Sequence, residues 1–343
     1  MIEKYSTYLK GQNLKMGYQH SGKTQIILEN LNLQANASEL IGLIGRNGSG
    51  KSTLLRCLMG MRPLMQGELI LLDQPIHYCT PKQKARKIAY VEASVNLPGN
   101  LRVYEIVAYG RYPYSALLRK YDTDAKTKVH HAMEQMKVLH LADRQLHQIS
   151  DGERQRCMIA RALAQDTPII LLDEPAAHLD IANRYELMKM LRKLADEQEK
   201  CIIMSSHDLD IMLNYSDKLW LIHQKNIISQ APEDMVIQKN IELLVNASDL
   251  NFSMEDAKFQ MMGNPRGWLS LKGEGLVFQW TKRALQRIGF DIECNKIGGL
   301  NVIVNECDES TEWEIEFPDK TVHKAFSIEQ LIDILKSKHY ERT

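Results

Sequence analysis

The sequence predicts an α/β fold: a large domain built on a parallel sheet and interrupted by an inserted helical subdomain, then a small α+β C-terminal domain. Three observations carry this. The runs ELIGLIG (39–45), PIILLDEP (168–175) and KCIIMSSHD (200–208) are short, almost wholly apolar and bounded by polar or glycine-rich residues, the pattern of strands buried on both faces of a sheet. Between the last two lies NRYELMKMLRKLADEQEK, whose Leu187, Met190, Leu191 and Leu194 recur at helical spacing. Residues 102–148 carry a helical period alone: Val129, Ala132, Met133, Met136 and Leu139 mark it, and Asp122 and Asp124 stand as caps.

A chain of 343 residues has room for one large domain and one smaller one. Lys+Arg 43 balance Asp+Glu 43, and a formal net charge of zero argues against a broad nucleic-acid footprint. The six cysteines show no CxxC spacing and several sit in apolar runs such as LLRCLMG, which fits free thiols in a reducing cytoplasm. The N-terminal MIEKYSTYLKGQ lacks the apolar core of a signal peptide. No apolar run approaches the roughly 18 residues of a membrane helix.

Further along, LWLIHQKNIISQ reads as a hairpin, a short helix follows near Pro232, and MMGNPRG (261–267) marks a boundary by its Gly and Pro content. The expected division is therefore 1–262, with the helical subdomain at about 102–165, and 263–343. The second domain holds a helix-like FQWTKRALQRIGF and alternating strands LNVIVN and TEWEIEF. It closes with SIEQLIDILK, where Ser327 and Gln330 have capping-box spacing.

GRNGSGKST (45–53) follows a predicted strand and opens a predicted helix, the context a phosphate-binding loop requires. Gly45, Gly48 and Gly50 let backbone N–H groups close around a polyphosphate, with Asn47, Ser49 and Thr53 in the same run. Lys51 reaches the β and γ phosphates, and Ser52 ligates Mg²⁺. In IILLDEP, Asp173 ends a buried strand where it would hold Mg²⁺ through water, and Glu174 beside it would polarise an attacking water. His207, in SSHDL, is placed to hydrogen-bond the γ-phosphate. Tyr18, in LKMGYQHSG upstream of the loop, is placed to stack on adenine.

The order GRNGSGKST, ISDGERQ, LLDEP, AAHLD and SSHD, at these separations, resembles the ATP-binding cassette of ABC transporters over residues 1 to about 258. NLRVYEIVAYGRYPY and EPAAHLDIANRYEL resemble the ATPases of iron–siderophore, haem and cobalamin importers. The resemblance implies an ATPase using ATP and Mg²⁺, paired as a homodimer on the cytoplasmic face of the cell membrane. It also implies an integral-membrane permease as partner and, indirectly, a substrate-binding protein. In such a dimer ISDGERQ, with Ser150, Gly152 and Glu153 as its signature residues, acts in trans: Ser150 and the Gly152 backbone face the γ-phosphate held by the partner's Lys51. The D-loop, Ala176 to Asp180, runs along the dimer interface, with Asp180 near the partner's phosphate loop.

Two departures from the family pattern stand out. Ile149, Asp151 and Glu153 replace the usual residues of LSGGQ. In IAYVEAS (88–94) the expected glutamine is absent: Ala93 takes its place, with Glu92 beside it. The rival reading is a soluble ABC ATPase acting on nucleic acid or ribosomes, or an ABC ATPase for another substrate; a single cassette with zero net charge speaks against the nucleic-acid version. Residues 263–343 read either as a packing extension or as a regulatory module, and the transported substrate is set by the permease and binding protein.

Overall fold

The structure, a computed structural model, describes residues 6–20, 23–93, 99–114, 123–177, 179–245, 250–253, 258–261, 267–292, 299–307 and 310–340. The chain divides into two compact units. The first runs to Ala247 and takes in Phe252–Phe259; the second comprises Ser248–Asn251 and Gln260–Thr343. The boundary expected at MMGNPRG falls on residues 262–266, outside the described residues.

The first unit holds two sheets. One is antiparallel, order β2-β1-β4-β5, from β1 (Thr7–His20), β2 (Lys23–Asn36), β4 (Gln66–Leu71) and β5 (Gln74–Pro75). The other has order β10-β9-β3-β8-β7-β6, from β3 (Leu40–Gly45), β6 (Ile88–Val91), β7 (Ile169–Leu172), β8 (Cys201–Ser205), β9 (Lys218–His223) and β10 (Asn226–Gln230). It is parallel except for the β9/β10 hairpin. Its central strands are apolar throughout because each feeds two cores. Leu40 and Ile44 of β3, Ile170 and Leu172 of β7, and Ile202 and Met204 of β8 enter one. Ile41 and Leu43, Ile169 and Leu171, and Cys201 and Ile203 enter the other.

Helices α1 (Lys51–Leu58), α2 (Pro81–Lys87), α6 (Ile181–Gln198), α7 (Leu209–Tyr215) and α8 (Pro232–Ile237) connect these strands or follow them. The expected helical segment is present as α3 (Val103–Ala108), α4 (Thr123–Gln135) and α5 (Asp151–Ala164), with Val107, Val129, Met133 and Ile159 sharing one core. The cap expected at Asp122 lies outside the described residues, and Asp124 sits inside the first turn of α4. The helix also stops before Leu139. Lys137 takes φ 54° and the Val138 N–H returns to the Met133 carbonyl at 2.9 Å, a left-handed C-terminal cap. β11 (Leu250–Ser253) pairs with β12 (Lys258–Met261), and Phe252 packs edge-on against Phe259 at 5.2 Å. No helix among the described residues is long and apolar enough to cross a membrane.

The second unit is a five-stranded mixed sheet, order β14-β13-β15-β16-β17, from β13 (Gly267–Lys272), β14 (Phe290–Ile292), β15 (Leu300–Cys307), β16 (Ser310–Glu316) and β17 (Val322–Ala325). Helices α9 (Gly275–Arg287) and α10 (Ile328–Tyr340) pack Leu285, Leu331 and Leu335 against Leu271, Val302 and Ile315. The expected helix, strands and closing helix are all there, while β13, β14 and β17 are additional. At α10 the cap is half the expected box: Ser327 Oγ accepts the Gln330 N–H at 3.1 Å, but the Gln330 side chain accepts from Phe326 N–H.

Candidate functional site

The phosphate loop joins β3 to α1, as the sequence predicts. Gly48 (φ 74°) and Gly50 (φ 109°) occupy the left-handed region that favours glycine. A Cβ at Gly50 would also lie 2.6 Å from Ile27 Cγ2, whereas the space around Gly48 is open. Lys51 is buried, and its ammonium donates to the carbonyls of Gly45 (2.9 Å) and Arg46 (3.4 Å). Burial pushes its pKa below the ordinary lysine value; the nearby carboxylates of Glu174 and Asp173 partly offset this. Ser49 Oγ is buried and has no partner among the described residues. An open cradle, a buried cation and an orphaned hydroxyl together fit a polyphosphate.

Asp173 follows β7 and is 3% exposed. The Ser205 hydroxyl at the end of β8 donates to Asp173 Oδ1 at 2.7 Å and accepts the Glu174 backbone N–H at 2.9 Å. The Tyr90 hydroxyl from β6 donates to Asp173 Oδ2 at 3.3 Å. Burial, then the Asp173 charge, pushes the Tyr90 phenol up to about 12. Glu174 itself adopts φ 48°, a conformation that costs a non-glycine residue about 1–3 kcal/mol and turns it out of the strand. There Glu174 Oε1 meets His207 Nε2 at 2.5 Å, so the structure brings together the two residues predicted to carry the chemistry. A cleft lined by Glu174, Arg184, Ser206, His207 and Asp208 opens beside them.

Ser205 and Tyr90 were not singled out from sequence. Both lie inside quoted runs, but only the strand order β8-β7-β6 sets them on either side of Asp173. Tyr18 shares a 2.8 Å hydrogen bond with Thr53 Oγ1, and the Arg62 guanidinium lies 4.5 Å over its ring.

The signature residues form a second group. Ser150 caps α5: its Oγ accepts the Glu153 N–H at 3.3 Å, while Glu153 Oε2 accepts from both the Ser150 N–H and the Ser150 hydroxyl at 2.9 Å. These bonds hold the Glu153 carboxyl below the usual range. Glu153 is thus occupied by its own helix. Asp180 caps α6 in the same way, accepting the Asn183 N–H at 2.8 Å, and Asn183 accepts in turn from Arg156 of α5 at 3.0 Å. A Cβ at Gly152 would touch Leu179 Cδ2 at 3.5 Å, an ordinary contact, so the fold of the chain itself does not require glycine there.

Residues 28–177 match the ABC transporter family model, and residues 266–336 match the iron ABC transporter C-terminal domain. The chain is 37% identical over 232 residues to the petrobactin import ATP-binding protein of Bacillus anthracis, covering 67% of this chain and 84% of the relative. It is 37% identical over 238 residues to the ferric enterobactin transport ATP-binding protein of Escherichia coli, covering 68% and 85%. Among solved structures, a metal-chelate type ABC transporter in an inward-facing conformation superposes with a TM-score of 0.61 at 27% identity, covering 70% of this chain and 89% of that one. The chain belongs to the ABC transporter ATP-binding proteins. It is a nucleotide-binding ATPase of that family.

Proposed function

We propose that this protein is the ATP-hydrolysing subunit of an importer for an iron chelate, haem or cobalamin, acting at the cytoplasmic face of the membrane through a separate integral-membrane permease. The observation that carries the hydrolytic part is the Glu174–His207 contact beside Asp173. The iron-domain match at 266–336 and the siderophore-importing relatives support the substrate class.

Ser52 and Asp173 would hold Mg²⁺, which when bound neutralises charge on the β and γ phosphates. Lys51, already dehydrated, contributes a fixed positive charge to the same phosphates. Glu174 orients the attacking water and takes its proton; His207 fixes the carboxylate that does so. Tyr18 stacks on the adenine, and a substrate-binding protein delivers cargo to the permease.

Two copies pair head to tail, so that Ser150 and Gly152 of one, with Ser150 held by Glu153 and with Asp180 alongside, complete the nucleotide site of the other. That the fold of the chain does not itself require glycine at 152, and that Ser150 is exposed, support this use in trans. Docking to the permease falls to the helical segment, where Tyr109 and Tyr112 are exposed at 52% and 76%. A photo-crosslinker at Tyr109 should label a membrane-spanning protein in native membranes. Adducts confined to soluble proteins would contradict the importer reading.

A further inference from the structure

One hydroxyl joins the two acids of the site. Ser205 ends β8, whose other residues are Cys201, Ile202, Ile203 and Met204, and it is 0% exposed. A hydroxyl so placed has to find its partners inside the protein. Strand register supplies them: Leu172 of β7 pairs with Met204, and Asp173 and Ser205 each follow by one residue. A carboxylate only accepts and a backbone N–H only donates. The Ser205 hydroxyl is therefore committed at both ends, its proton to Asp173 Oδ1 at 2.7 Å and a lone pair to the Glu174 N–H at 2.9 Å. The bonds close a loop from the Asp173 side chain through Ser205 to the Glu174 N–H and back along the chain. That N–H belongs to a residue at φ 48°, turned out of the strand. Two residues after Ser205, His207 meets the carboxylate of the same Glu174, so the exit of β8 grips this residue by its backbone and by its side chain. The exit is itself fixed, since the Ser206 N–H donates to the Leu43 carbonyl of β3 at 3.2 Å.

We infer that Ser205 is a positioning residue with two separable duties. Its proton orients the Asp173 carboxylate for Mg²⁺, and its oxygen holds the Glu174 backbone in the turn that carries the side chain to His207. The inference rests on the reading of Asp173 as a holder of Mg²⁺ and of Glu174 as the group that activates water, and it adds the link between them. A merely structural hydroxyl would alter folding, or nucleotide binding with and without metal alike. Ser205 instead acts on metal dependence and on turnover, and leaves metal-free nucleotide binding alone.

The test makes two measurements on the full chain: binding of a fluorescent ATP analogue in EDTA and across a Mg²⁺ titration, and single-turnover ATP hydrolysis at saturating Mg²⁺. Partners that orient metal ligands are worth about 10–100-fold in metal affinity. Ser205→Ala should therefore raise the Mg²⁺ concentration at half-saturation by at least about 10-fold, with EDTA affinity within about 2-fold of wild type. Hydrolysis should stay down by at least about 10-fold once Mg²⁺ saturates, because metal does not restore the position of Glu174. In a Glu174→Gln background, Ser205→Ala should shift the Mg²⁺ dependence as before but lower the residual rate by less than about 2-fold, since the group it positions is already gone. Ser205→Thr, which keeps a hydroxyl, should recover most of both losses. Unchanged Mg²⁺ dependence, full hydrolysis at saturating Mg²⁺, equal binding losses with and without metal, or an undiminished rate loss in the Glu174→Gln background would overturn the inference. Should Ser205→Ala not fold, Ser205→Cys, whose thiol bonds only weakly, decides by the same criteria. A wild type that binds nucleotide without responding to Mg²⁺, or a Glu174→Gln chain that hydrolyses like wild type, would instead defeat the reading beneath it.

Discussion

Replacing Glu174 with glutamine removes one charge and leaves the geometry around it in place. The backbone N–H of residue 174 still reaches Ser205 Oγ, so the Ser205–Asp173 bond persists, and the side chain still spans the 2.5 Å contact to His207 as a neutral hydrogen bond. Glutamine meets the same cost at φ 48°, so no new strain enters. What is lost is a group able to take a proton from water, an effect on the order of 10²–10⁴ in rate, or about 3–5 kcal/mol of barrier. Nucleotide binding moves the other way, because one negative charge near the phosphates is gone while Lys51 and Ser52 remain. Single-turnover hydrolysis of radiolabelled ATP, with binding measured in parallel, separates the two. A rate within about threefold of wild type would refute the assignment of Glu174 as the group that activates water.

Three further outcomes follow from the structure. Gly152→Ala should leave the melting temperature unchanged or raise it, since alanine favours helix by up to about 1 kcal/mol and its Cβ meets ordinary contacts, yet ATP-driven pairing should fail; calorimetry and gel filtration check both halves. Glu153→Gln keeps the capping geometry without the charge. Because the Glu153 pKa is depressed in the folded state, its contribution to stability is present above the usual glutamate value of about 4.3 and is lost as pH falls through the folded value, so wild type and variant should melt apart at neutral pH and converge in acid. In the second unit, Thr281→Val orphans the buried Trp313 indole N–H, which now donates to Thr281 Oγ1 at 2.8 Å; a loss of about 1–3 kcal/mol is expected there by denaturant titration, with ATP turnover retained.

The parallel sheet and the phosphate loop were legible because their strands are buried on both faces and so read as unbroken apolar runs. The antiparallel sheet was not. β1 has register shifts between Gly11 and Leu14 and again around Met16, which break the two-residue period along its length. In β2 only the second half alternates, with Leu31, Leu33 and Ala35 buried and Asn30, Asn32 and Gln34 exposed. β13 escaped notice because a buried Ser270 interrupts its apolar run, and β14 is three residues long. At the site, each motif announced its own residues. The links between them did not show, since Tyr90, Asp173 and Ser205 come from β6, the end of β7 and β8 and meet only when the strands are ordered.

In the proposed head-to-tail pair each nucleotide lies between the phosphate loop of one chain and the signature of another. Lys51→Ala and Ser150→Arg, each in a Glu174→Gln background so that bound ATP is retained, give homodimers with both sites defective. In a mixed dimer the Ser150→Arg chain supplies an intact phosphate loop and the Lys51→Ala chain an intact signature, which restores one complete site. Size-exclusion chromatography with radiolabelled ATP measures the trapped dimer directly. The mixture should trap more nucleotide than either variant alone; a mixture no better than its components would rule out a site shared between chains.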